Sequence, residues 1–124
     1  MLSREQVGWQ ESVFNSAVTL AGDPVLAITN TDTRYGLLIH RVRGSSSANL
    51  ALKAGLTAAA ATALAMPTIL AADNFDIPGL YVVVPPGQNV YVDVSADDTP
   101  NISIQWSQQR IVREQGTGVL SIGT

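Results

Sequence analysis

One histidine, His40, is the only imidazole among 124 residues, so acid–base chemistry near neutral pH has a single candidate. General-base or acyl-transfer catalysis needs such a histidine beside a serine nucleophile or an orienting carboxylate. His40 sits between Ile39 and Arg41 on a strand-like run, at the parity of Leu38 and Val42. No G-x-S-x-G elbow exists for it to serve, and a structural role is the expectation. Asp73 and Asp76 lie close together, as do Asp93, Asp97 and Asp98. Hard cations take several oxygen ligands, which acidic turns can supply. Yet Asp97-Asp98-Thr99-Pro100 also reads as an ordinary turn, and no D-x-[DN]-x-[DN]-G loop occurs. With no cysteine and one histidine, thiolate and multi-histidine metal centres are excluded. Paired carboxylates would suit a glycosidase, but a chain this short has little room for a sugar cleft. No catalytic residue, metal site or cofactor is expected.

Arg41 and Arg43 share a strand parity, with Arg34 nearby. They could clamp an anion, guard a sheet edge against pairing, or make salt bridges between subunits. The last two readings are preferred. Five aromatics have polar tips: Trp9, Tyr35, Tyr81, Tyr91 and Trp106. Trp106 has the parity of Ile102 and Ile104, which assigns it to a core. Tyr81 and Tyr91 face away from the valine stripes of their strands. Paired as a hairpin, those strands would make the tyrosines cross-strand neighbours on a binding platform or on a second buried face.

The elements that must position these residues are read from periodicity. Tyr35 to Arg43 is a strand candidate, and Gly44 to Ser47 reads as a flexible loop. Leu50 and Leu52 share a face. Leu80, Val82 and Val84 alternate with Tyr81 and Val83, and, across Pro85-Pro86-Gly87, Val90, Val92 and Val94 alternate with Tyr91, Asp93 and Ser95. Ile102, Ile104 and Trp106 alternate with serine and glutamine, the pattern of an antiparallel strand with one face on a core. The Ala-rich stretch 56–66 stays open between helix and irregular or strand structure. Seven or eight short strands without βαβ units predict an all-β antiparallel sandwich, an eight-stranded jelly roll before an immunoglobulin-like topology. Residues 1–12 form an N-terminal arm, 13–112 the β-sandwich domain, and 113–124 a C-terminal tail with a hydrophobic hook at Val119, Leu120 and Ile122.

Composition narrows the partners. A net charge of −3 argues against binding driven by nucleic-acid phosphates. Residues 56–72, mostly alanine and broken by Pro67, do not suit a membrane span. The N-terminus lacks the charged and apolar regions of a secretory signal, so synthesis and assembly in a cytoplasm are expected. Only 14% of residues are charged, which suits a surface largely covered by partners.

The polar arm carrying Trp9, the Thr/Ser/Ala-rich β body, the pair Gly79–Gln88 and Asn101–Ser107, and the hydrophobic tail together resemble the small jelly-roll decoration, or cement, proteins of tailed-bacteriophage heads. The resemblance implies a non-enzymatic virion protein on the capsid exterior, assembled in the host cytoplasm. It implies a homotrimer that binds the major capsid protein and holds the head against internal pressure. The expected partner-binding residues are Trp9, Arg41, Arg43, Val119, Leu120 and Ile122. The rival expectations are a carbohydrate- or receptor-binding module of a phage appendage and a head or tail completion protein.

Overall fold

The computed structural model describes residues 9–113 and 120–123, with side chains over 9–109. Ten strands follow one another: β1 (Gln10–Asn15), β2 (Val25–Ile28), β3 (Tyr35–Ser46), β4 (Leu50–Gly55), β5 (Thr62–Ala63), β6 (Ala72–Ile77), β7 (Val82–Val84), β8 (Asn89–Val94), β9 (Asn101–Arg113) and β10 (Leu120–Gly123). No helix occurs among the described residues.

The strands form two antiparallel sheets. One has the order β1-β9-β3-β6, with β7 also on β3 and β10 also on β9; the other has the order β2-β8-β4-β5. β6 and β7 pair successive stretches of β3, so they occupy one place, broken at Pro78. The chain then visits the first sheet with β1, β3, β6/β7 and β9, and the second with β2, β4, β5 and β8. That is the double-sheet connectivity of a jelly roll, the topology expected from the sequence.

The core lies between the sheets. Leu37 and Ile39 of β3 with Ile102 and Ile104 of β9 meet Leu50 and Leu52 of β4 with Val90 and Val92 of β8. Each of these eight side chains is at most 2% exposed. Burying a side chain of this size stabilises by about 1.5–3 kcal/mol. The period-two alternation supplies them, because each strand turns every second residue inward.

β3 departs from simple alternation. Its register against β9 shifts between Ile39, opposite Trp106, and Arg41, opposite Gln105. The extra residue at His40 reverses the phase of the strand. Leu37 and Ile39 face the core before it, and Val42, fully buried, faces the core after it. Val42 therefore does not share a face with Leu38, as plain alternation predicts. Without the bulge Arg41 and Arg43 would point into the core.

Three further expectations are corrected. Gly44 to Ser46 are the end of β3, not a loop. β7 and β8 are not a hairpin, since one joins β3 and the other lies between β2 and β4. β3 is interior, with β9 on one side and β6 and β7 on the other, so Arg41 and Arg43 guard no edge. The Ala-rich stretch, left open between helix and irregular or strand structure, takes the second form: a turn over 58–60 followed by β5. Pairing also reaches into both segments read as arms. Gln10, Glu11 and Ser12 pair with Trp106, Gln105 and Ile104, and β10 pairs with Arg110–Arg113.

Candidate functional site

The outer face of the six-stranded sheet gathers most of the residues whose chemistry stands out. Its rows follow from the register. Glu11, Gln105 and Arg41 lie across β1, β9 and β3; Val13, Ser103, Arg43 and Asp76 lie across β1, β9, β3 and β6.

This half of the face is ionic and internally neutralised. Arg41 makes two hydrogen bonds to Asp76, Nε to Oδ1 at 2.7 Å and Nη2 to Oδ2 at 2.5 Å. Arg43 Nη2 is 3.6 Å from Glu11 Oε2, which also accepts a hydrogen bond from the Ser103 hydroxyl. The Ser103 bond holds the Glu11 carboxyl below its ordinary value; burial opposes this, and Arg43 adds to the lowering. The Arg41 bond does the same for Asp76. Both arginines thus find carboxylates in their own chain, and the intersubunit salt bridge expected of them is not needed for their charge. Beside them an open depression of about 550 Å³ is lined by Arg43, Asp73, Asn74, Asp76, Asn101 and Ser103, among others.

The other half is aromatic. Leu38 lies between Ser107 of β9 and Val83 of β7. Trp9 stacks on His40, with ring centroids 4.1 Å apart and planes 6° from parallel. His40 Nε2 is hydrogen-bonded to Ser107 Oγ at 2.7 Å, and Gln109 Nε2 donates to the same hydroxyl at 3.2 Å. Trp9 covers its own histidine yet remains 61% exposed, so one ring face stays open. The sequence placed Trp9 in search of a pocket but offered no signal for His40, because the contact joins residues 31 positions apart across the sheet.

A serine beside a histidine has the residue types of a nucleophile and base. Ser107, however, is only 3% exposed, and its hydroxyl is already hydrogen-bonded to His40 and Gln109. The arrangement is that of a seated imidazole. Burial pushes the His40 pKa down from its ordinary value of 6.5.

The second sheet resolves the tyrosine platform. Tyr91 on β8 is buried between Leu26 of β2 and Lys53 of β4, while Tyr81, just before β7, is 69% exposed on the first sheet. The two tyrosines are not neighbours. Trp106 is half-buried against the core, and its indole N–H donates to Ser12 Oγ at 2.9 Å.

Four of the five candidate aspartates, Asp76, Asp93, Asp97 and Asp98, find partners within the chain. Asp93 pairs with Lys53 at 2.8 Å, and Asp97 accepts from the Leu20 backbone N–H at 2.9 Å. Asp98 accepts from the hydroxyls of Ser46 and Ser47 and from the Ser47 N–H. Burial raises the Asp98 pKa, but the hydroxyls of Ser47 and Ser46 and the Thr99 and Ser47 N–H groups outweigh it, leaving a net lowering. Among the described residues no group of three or more His, Cys, Asp or Glu side chains could hold a metal ion. Of the expected hook, Leu120 and Ile122 lie in β10, opposite Arg113 and Ile111, and Val119 lies outside the described residues.

These shifts predict a two-step loss of stability in acid. His40, Glu11, Asp76 and Asp98 all have lowered folded pKa values, so the unfolded chain binds protons more readily than the folded one. The melting temperature should be flat above pH 6.5, fall slightly below it as His40 is driven to protonate, and fall further below the ordinary carboxylate range. His40→Asn should remove the first step and leave the second. Thermal melts by circular dichroism across pH check this.

No family model, no curated protein and no solved structure matches this chain.

Proposed function

We propose that the protein is a non-enzymatic virion component that decorates the outer capsid surface and stabilises the head as a homotrimer bound to the major capsid protein. The observation that carries the reading is the strand order, β1-β9-β3-β6 over β2-β8-β4-β5. This is the double-sheet jelly roll in which viral capsid domains recur. Fold alone does not give function, so the surface must also suit the role. Two features support it. Trp9 presents an open aromatic face on a sheet whose ion pairs are already satisfied within the chain. Such a face buries area on a partner without leaving charges unpaired. Three copies around one axis would also multiply each weak contact by raising its effective concentration.

The test is to delete the gene from the virus that carries it and to heat the resulting particles. They should release their genome at a lower temperature than complete particles, and purified protein should restore the difference. Particles of unchanged stability would remove the decoration role. The carbohydrate-binding alternative loses the platform expected of it, since Tyr91 is buried on β8 of the second sheet while Tyr81 is exposed just before β7 of the first.

A further inference from the structure

We infer that β1 is a docking edge that pairs antiparallel with β1 of a second copy of this chain. The inference rests on the fold and not on the capsid reading. A sheet edge presents unpaired N–H and C=O groups that template pairing with another chain, and proteins blunt such edges with shortness, bulges, proline or charge. Of the other outer strands, β10 has four residues, and β2, β5, β6 and β7 are blunted. β5 has two residues. β2 has four, follows Pro24, and slips in register between Leu26 and Ile28. β6 carries Asp73 and Asp76, slips against β3 between Gly44 and Ser46, and ends at Pro78. β7 has three residues and ends at Pro85.

β1 has only one of these devices, the charge of Glu11, which is already engaged by Arg43 and Ser103. Its six residues pair with β9 in unbroken register and include no proline or lysine. Among the described residues it has no strand on its other side. Val13, in its middle, is 70% exposed.

The residues fit a copy of themselves. Turned about a two-fold axis at Val13, the strand sets Val13 against Val13, Ser12 against Phe14, and Glu11 against Asn15. The exposed valines cover each other. Each carboxylate meets an amide and not another carboxylate, which avoids the penalty for like charges directly opposite. Arg43 and Ser103, which hold Glu11, stand on the β9 side and are undisturbed. A contact of one strand pair is below the size of an obligate interface, so it should depend on concentration.

The chain has no cysteine, so Val13→Cys introduces a single thiol. Opposed residues of an antiparallel pair lie within the Cα separation that a disulfide spans. Under mild oxidation Val13→Cys should form covalent dimers many-fold faster than Leu20→Cys, a control at a position also exposed (59%). Light scattering from low micromolar to submillimolar protein should show the wild-type mass doubling, whatever its starting multiple. Val13→Asp should hold its low-concentration mass with an unchanged melting temperature. Equal cross-linking at the two positions, or a mass that stays constant or rises equally in Val13→Asp, would overturn the two-fold contact. An extended segment from another protein as the true occupant would give that second result.

Discussion

Gly44→Ala is expected to prevent folding. Gly44 lies on β3 with φ of 148°, a region open to glycine and closed to side chains. A Cβ there would stand 2.1 Å from the Asn101 carbonyl oxygen and 2.7 Å from Ile102 Cα. Both obstacles are backbone of β9, fixed by its pairing with β3, so neither can swing aside as a side chain would. The strands would have to separate where Gly44 faces Ile102, beside the core. The expected cost is more than about 4 kcal/mol, a large share of the roughly 5–15 kcal/mol that holds a domain folded. Gly79 supplies the control. It also has positive φ, 70°, but nothing lies within 4 Å of its Cβ position. Gly79→Ala should cost only the left-handed backbone strain, about 1–2 kcal/mol. Soluble yield and thermal melts of the two variants decide the matter. A folded Gly44→Ala variant melting close to the wild type would contradict the register assigned to β3 and β9.

Trp9→Ala should separate attachment from stability. The indole rests on His40 but is 61% exposed, so its removal costs the fold little, about 0.5–1.5 kcal/mol for the lost stack. At an interface, an exposed tryptophan that becomes buried is the kind of residue that dominates binding, and losing it costs about 2 kcal/mol or more. Binding to particles that lack the protein should therefore weaken at least about tenfold while the melting temperature falls by only a few degrees. Unchanged binding would show that the open face of Trp9 is not the contact. A large drop in melting temperature would show that the ring serves the fold.

Much of the fold could be read from valine and isoleucine at every second position. Val90, Val92 and Val94, and Ile102 and Ile104, are buried as their alternation requires. The bulge at His40 could not be read, because one inserted residue leaves no compositional mark yet reverses every later side chain of β3. Pairing across the two sheets was hidden for a similar reason. β7 and β8 have the local look of a hairpin, and only the strand order places them on opposite layers. The site was legible as residue types and not as partners. Trp9, Arg41 and Arg43 stood out, but Asp76, Glu11 and His40 reach them from distant stretches of chain. The Asp98 network with Ser46 and Ser47 was missed because those serines looked like a loop.

The most direct test asks where the protein is. Particles banded on a density gradient, from the organism or lysate that carries the gene, would be probed with an antibody against this chain. The protein should band with the particles, in fixed proportion to the major capsid protein, and be accessible to antibody on intact heads. A chain found only in the soluble fraction at the top of the gradient would contradict the proposal.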